Sequence, residues 1–275
     1  MMTTTNQGRV AVVTGANKGI GYFIALQLGL SGLFQQILLG CRDVNRGNEA
    51  VASLQAQLPS TVKVSSYPFI LGDVESHSAF VKQMEENFGK VDCLVNNAAM
   101  AFKGSDPTPF KDQTKPTLDV NFRATVDFTE KMLPLLKKGS DPRLVFVASM
   151  SGRLGQLSAN LQKEFASPSL TIPKLHSLVD KFEKDVQDGT HSANGWGNSN
   201  YGLSKLAVIA ATKVMARENP EISINCCCPG YCKTDMTSQK GVRDPNEGAK
   251  NAVIPATMQN PPTGAFFRDF KVNEW

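Results

Sequence analysis

The sequence predicts an α/β fold: a doubly wound, seven-stranded parallel sheet in one domain, with a helical insertion. Two observations carry that expectation. Short runs rich in Val, Ile and Leu fall at 10–14, 37–40, 62–67, 91–96, 144–148, 222–228 and 265–267, and longer helical patterns at 19–30, 76–88, 117–137 and 200–217 alternate with them. The runs are nearly continuous in apolar character, as strands covered on both faces require. No linker-like composition interrupts the 275 residues, so 1–275 reads as a single domain.

The run 10–14 leads into Thr14-Gly15-Ala16-Asn17-Lys18-Gly19-Ile20-Gly21, and the pattern 19–30 is the helix that follows. Glycines let the backbone turn sharply and come close to a pyrophosphate, while the free N–H groups of the helix start point at it. The spacing G-x-x-x-G-x-G is a variant of the dinucleotide fingerprint, weak alone but here set between a first strand and a first helix. It predicts a Rossmann-type sheet with a nucleotide held by Gly15, Asn17, Lys18, Gly19, Ile20 and Gly21. The second run ends at Cys41-Arg42-Asp43, with Arg46 following. In such folds the ribose reader lies about 20 residues beyond the glycine loop. An acidic residue at 41 would favour NAD; instead Arg42 can pair with a 2′-phosphate, Arg46 lies near, and Lys18 adds charge. NADPH is the expected cofactor. Asp43 either neutralises Arg46 or starts a turn.

The runs 62–67, 91–96 and 144–148 continue the alternation, the last ending at Ser149. Segment 155–198 breaks it, being far longer than an ordinary connection. Within it Leu175, Leu178, Val179, Phe182 and Val186 fall at helical spacing, which predicts an amphipathic helix packed on the body of the domain. Then Asn200-Tyr201-Gly202-Leu203-Ser204-Lys205 opens the helix 200–217, and Tyr201 and Lys205, four apart, share a face. A free tyrosine titrates near 10, about three units too high for easy exchange at neutral pH. A nearby ammonium stabilises tyrosinate, so the pair suits general acid/base work.

Bulk properties exclude several classes. Hydrophobic residues make up 41% and charged ones 20%, an ordinary soluble balance. The net charge of +4 is scattered rather than blocked, which argues against a nucleic-acid surface and leaves an anionic small ligand welcome. Six cysteines form no paired CxxC spacing, and three histidines cluster with none of them, so no metal site or disulfide framework is expected. The opening MMTTTNQGRV has no apolar signal core, and no run reaches membrane-spanning length, so a cytoplasmic location is expected.

From about residue 9 to 270 the chain resembles the short-chain dehydrogenase/reductase family, and within it the NADPH-dependent carbonyl reductases. The resemblance rests on 14–21, Asn96-Asn97-Ala98-Ala99, Asn121, Ser149, Tyr201, Lys205 and Cys228-Pro229-Gly230. The stretches 41–47, 101–110 and 229–236, Trp275, and the long segment before Tyr201 match the carbonyl reductases more specifically. The resemblance implies that Tyr201 donates the proton to a carbonyl oxygen and that Ser149 hydrogen-bonds the same oxygen. It implies that Lys205 binds the nicotinamide ribose and lowers the tyrosine's pKa, and that Asn121 holds a water relaying protons from Lys205. Asn97 would contact the cofactor, and Pro229, Gly230 and Thr234 would flank the nicotinamide. Residues 101–113 and the loop 231–247 would line a pocket, with Phe102, Phe110, Trp196 and Tyr231 either lining it or filling the core.

Two departures stand out: Ala99 replaces the family's usual glycine, and the acidic adenine contact falls either on Ile70, by direct count, or on Asp73, which also reads as a helix start. The expected activity is NADPH-dependent reduction of a small-molecule carbonyl, with no nucleic-acid or membrane partner. A dehydrogenase for alcohols, steroids or prostaglandins running in the oxidative direction, and a non-catalytic NADPH sensor, remain the rivals. Of the consecutive Cys226, Cys227 and Cys228, two or more are expected in the core, with Cys228 a possible reactive thiol. The insertion is expected to cover the helices through which such reductases pair, leaving a monomer.

Overall fold

In the chain's computed structural model, residues 8–275 are described. The N-terminal reading falls largely on residues 1–7, outside the described residues. The elements run β1 (Val10–Thr14), α1 (Gly19–Leu30), β2 (Gln36–Cys41), α2 (Val44–Gln55), β3 (Lys63–Pro68), α3 (Val74–Phe88), β4 (Cys93–Asn96), α4 (Phe110–Leu118) and α5 (Thr125–Lys137). They continue through β5 (Arg143–Val147), α6 (Ala159–Phe165), α7 (Ile172–Gln187), α8 (Asn200–Glu218), β6 (Ser223–Cys227), α9 (Pro245–Thr257), β7 (Phe266–Arg268) and β8 (Lys271–Asn273).

The strands form one sheet in the order β3-β2-β1-β4-β5-β6-β7-β8. Strands β1 to β7 pair in parallel, whereas β8 is antiparallel to β7. Among the described residues the sheet therefore has eight strands, where seven were expected. The extra strand follows a tight reversal at Asp269 and Phe270, both at positive φ (50° and 67°). Its sequence, Lys-Val-Asn, is short and exposed, so it gave no apolar signal.

Side chains along the central strands β1, β4 and β5 alternate between two cores, which is why these strands read as nearly unbroken apolar runs. Val10 and Val12 of β1, with Leu144 and Phe146 of β5, join the core under α3, α5 and α8. Ala11 and Val13, with Val145 and Val147, join the core under α1, α2 and α9. Each fully buried Leu, Phe or Val contributes about 1.5–3 kcal/mol, so both faces are firmly closed.

The predicted helix 117–137 is interrupted: α4 ends at Leu118, a π-helical turn spans Asp119–Ala124, and α5 resumes. The segment 155–198 holds two helices, α6 and α7. The expected apolar face of α7 is buried, with Leu175, Val179 and Phe182 at 0% exposure. It packs on α4 and α8, and Arg123 of the π turn binds Asp180 and Glu183 of α7 (2.5 and 2.8 Å). Strand order reverses where β1 lies between β2 and β4, opening a crevice at their C-terminal ends, where open α/β sheets bind ligands.

Candidate active site

The glycine loop lies at that crevice. Gly15 and Gly19 have φ of 63° and 57°, the left-handed region open to glycine without strain. A Cβ on Gly21 would sit 2.5 Å from both the Asn97 side-chain nitrogen and the Gly15 carbonyl, so only a bare backbone fits there. Asn97 braces the loop: its Nδ2 donates to the carbonyls of Thr14 (2.8 Å) and Gly15 (3.2 Å). The Thr14 hydroxyl accepts from the backbone N–H groups of Asn97 and Ala98, both at 3.0 Å. Asn97 thus shapes the cradle from behind, a role the sequence did not reveal, and Thr14 was not singled out at all. Ile20 packs into the core below.

An open cavity of about 470 Å3 lies beside the loop, lined by the basic Lys18 and Arg46, the acidic Glu49 and Asp235, and Asn17 and Tyr22 among others. Arg42 is exposed at the end of β2. Asp43 does both things expected of it: it caps α2 by accepting from the Arg46 N–H (3.1 Å) and stands 3.6 Å from the Arg46 guanidinium. Lys18 is engaged by a partner that sequence reasoning missed, Asp235, at 2.6 Å. That ammonium holds the Asp235 carboxyl below the usual range. The left-handed glycines and the helix start, with Lys18, Arg42 and Arg46 near them, fit a phosphorylated dinucleotide. Asp73 caps α3, accepting from the N–H groups of Glu75 and Ser76 (2.9 and 3.1 Å), and Ile70 is 42% exposed.

Tyr201 and Lys205 lie in the first turns of α8, capped by Ser199, whose hydroxyl accepts from the Gly202 N–H (2.9 Å). Ser149 follows β5 after Ala148, and its hydroxyl accepts from the Ser151 N–H (3.1 Å). It also stands near enough to the Tyr201 phenol to oppose the rise of its pKa. Enclosure pushes the phenol up to about 12, with the Cys228 sulfur adding to the rise and Ser149 opposing it. Lys205 is 4% exposed; burial pulls it down to about 8. Its ammonium donates to the Val147 carbonyl (2.8 Å) and stands 5.7 Å from the centre of the Tyr201 ring. The expected depression of the tyrosine by Lys205 does not appear among the causes of its shift, whose direction burial sets.

Asn121 is 1% exposed in the π turn. Its side chain satisfies both backbone groups of Met100, accepting from the N–H (2.8 Å) and donating to the carbonyl (2.9 Å), and also donates to Ser204 (3.1 Å). It ties the loop after β4 to α8. The π turn itself was not legible, although such turns often mark functional sites.

The loop after β6 closes the site. Gly230 has φ of 86°, and Arg243 stacks where its Cβ would be (2.7 Å). Arg243 donates to the Pro229 carbonyl (3.2 Å) and pairs with Asp269 (2.7 Å), while Cys232 and Arg243 form a β-bridge that pins the base of the substrate loop. Thr234 lies against the glycine loop, its Cγ2 3.5 Å from where a Gly19 Cβ would be. Cys226, Cys227 and Cys228 are all buried (1%, 0% and 4%). The Cys228 sulfur accepts from the N–H groups of Met150 (3.2 Å) and Gly230 (3.4 Å). Of the aromatic candidates, Trp196 belongs to the core, 4% exposed and donating to Asp185 (2.7 Å), whereas Tyr231 is 54% exposed at the mouth. Among the described residues no cluster of metal-binding side chains occurs, and no helix is long and apolar enough to cross a membrane.

Fold and site define a doubly wound α/β protein with a nucleotide cradle and a Tyr–Lys–Ser group at one crevice. The chain belongs to the short-chain dehydrogenase family, whose pattern matches residues 9–161 and 190–244. The gap between the matched stretches falls within the α6–α7 insertion. The chain is 38% identical to human carbonyl reductase (NADPH) 1 over 97% of this chain and 98% of that protein. It is 37% identical to the pig protein of the same name, over 97% and 94%. Among solved structures, salutaridine reductase from Papaver somniferum superposes with a TM-score of 0.84 at 29% identity, covering 94% of this chain and 99% of that one. Menthone neomenthol reductase from Mentha piperita gives 0.81 at 29% identity, covering 94% and 98%.

Proposed function

We propose that this protein reduces aldehydes, ketones or quinones to alcohols with NADPH, Tyr201 delivering the proton to the carbonyl oxygen. The observation that carries the reading is the Tyr201 phenol beside Ser149, with the buried Lys205 ammonium 5.7 Å from its ring, at the same crevice as the glycine cradle. Bound NADPH supplies hydride to the carbonyl carbon. Gly15, Asn17, Gly19, Ile20 and Gly21 would receive the pyrophosphate, and Lys18, Arg42 and Arg46 the 2′-phosphate. Lys205 would reach the nicotinamide ribose, while Pro229, Gly230 and Thr234 would border the nicotinamide.

With its phenol held near 12, Tyr201 keeps its proton throughout the neutral range, the form a reductase needs. Ser149 shares the oxygen with the phenol and holds the developing alkoxide. Asn121 and the π turn keep the loop after β4 and α8 in register, and a water held there would return protons from Lys205. The half-buried Phe102 and the exposed Tyr231 and Met236 suit an apolar carbonyl. A panel of quinones and aromatic aldehydes tests the reading, followed by absorbance loss of NADPH. NADPH is expected to give a lower KM than NADH, and Arg42→Asp to narrow or reverse the gap; equal efficiency with both cofactors in the unaltered protein rules out the 2′-phosphate assignment.

The monomer expectation belongs to the same reading. That α7 buries its apolar face on α8 and α4 supports it, since α8 is one of the two helices through which related reductases pair. Light scattering coupled to size exclusion is expected to give a mass near the chain's 29.8 kDa. A concentration-independent dimer or tetramer would refute it.

A further inference from the structure

Ser149 must hold its hydroxyl at the Tyr201 phenol, yet it stands at the head of a single 3-10 turn, Met150–Gly152. The turn's own bonds are three: Ser151 N–H to the Ser149 hydroxyl (3.1 Å), Gly152 N–H to the Ser149 carbonyl (2.9 Å) and Arg153 N–H to the Met150 carbonyl (3.3 Å). A three-residue 3-10 turn has poor hydrogen-bond geometry and does not keep its shape unaided. Its rigidity must come from what surrounds it.

One wall is α8. A Cβ on Gly152 would lie 2.7 Å from both the Leu206 nitrogen and the Lys205 carbonyl carbon, and one on Gly202 would lie 2.9 Å from the Ser151 carbonyl oxygen. Bare backbone thus meets bare backbone, beside the two residues that carry the chemistry. The opposite wall comes from the β7–β8 hairpin. Arg268 of β7 reaches the Met150 sulfur (3.0 Å), and the Trp275 indole N–H, just past β8, donates to the Gly152 carbonyl (2.8 Å). The Trp275 ring also lies 5.7 Å from the Lys213 ammonium of α8 and packs against the main core. Strand β8 itself buries little: Val272 is 53% exposed and Lys271 is exposed. What this eighth strand delivers is Trp275. The Asn273 side chain secures the hairpin by donating to the carbonyls of Arg268 (2.6 Å) and Lys271 (2.8 Å).

We propose that Trp275 is a positioning residue for the reaction: through the buried Gly152 carbonyl it presses the turn 150–152 onto α8 and so keeps the Ser149 hydroxyl at the Tyr201 phenol. The inference rests on the reading of Ser149 as the partner of the reacting oxygen. Removing the indole donor leaves a buried carbonyl unpaired, which the turn relieves by moving outward, and Ser149 moves with it. A displacement of about 1 Å in such a group lowers turnover by up to roughly 10²-fold while leaving cofactor binding elsewhere intact.

Trp275→Phe removes the N–H and keeps an aromatic body against Lys213 and the core. We expect kcat with a quinone to fall about 5- to 50-fold, with KM for NADPH changed by less than about twofold. In a Ser149→Ala background the same substitution should change kcat by less than about twofold, because two residues acting through one group are not additive. Amide hydrogen exchange at Ser151 and Gly152 should quicken in Trp275→Phe while exchange in β1 and β5 stays unchanged, a readout independent of turnover. Equal kcat losses in the two backgrounds, or unchanged exchange at Ser151 and Gly152, would overturn the clamp and leave the role of Ser149 standing. Full activity in Ser149→Ala alone would overturn the reading of Ser149, and the clamp with it.

Discussion

In Tyr201→Phe, carbonyl reduction is expected to fall by about 10²–10⁴ in kcat while KM for NADPH stays close to its original value. The substitution deletes one oxygen. The ring keeps its packing in the first turn of α8, and the Ser199 cap and the glycine cradle are untouched. The polar group left without this partner is the Ser149 hydroxyl, which retains its bond from the Ser151 N–H. Loss of turnover would therefore report the missing proton and not a damaged fold, and thermal unfolding within a degree or two of the parent would confirm that separation. Near-full reduction by Tyr201→Phe would remove the phenol from the chemistry. Water or Ser149 would then have to be the donor.

The fold was legible wherever a strand is covered on both faces. In β1 and β5 consecutive residues feed opposite cores, so the apolar run has no gaps. Elements that bury little were not. Helix α2 offers mainly Gly47, Ala50 and Leu54 to the core, a pattern too sparse to read as amphipathic. Helix α9 carries Pro255 within it and buries mostly small residues, and β8 buries almost nothing. The π turn at Asp119–Ala124 is a matter of hydrogen-bond register, which no composition or spacing encodes.

The site divides along a similar line. Tyr201, Lys205 and the glycines announced themselves because their chemistry demands particular residue types at particular spacings, whereas the role of Ser149 came only from the family resemblance. The residues that hold them do so by contacts across long stretches of chain: Thr14 to Asn97, Cys228 to Met150, Arg243 to Pro229, Trp275 to Gly152. A hydroxyl, a thiol or an indole in such a place looks like any other. Even the chemistry-bearing residues were legible in kind and not in degree. The spacing of Tyr201 and Lys205 predicted a lowered phenol, yet enclosure by α8, β5 and β6 determines both titrations, upward for the phenol and downward for the ammonium.

Those opposed shifts fix the expected pH dependence. Lys205, buried and held at about 8, carries its charge below that pH and loses it as pH rises through it. The phenol, near 12, stays protonated across the same window, so Tyr201 does not set the limb. Because kcat/KM reports the free enzyme, its basic limb should fall near pH 8 and not near 10, the value of an ordinary lysine or tyrosine. Lys205→Ala should lower kcat/KM by about 10²–10³, the range for removing a preorganised charged donor. Whatever activity remains should lose the limb near 8 and hold level until pH approaches the phenol's own titration. Parent and variant profiles measured from pH 6 to about 10.5 decide the matter: a limb near 8 that survives in Lys205→Ala belongs to some other group, and Lys205 would then serve only to anchor α8 to the Val147 carbonyl.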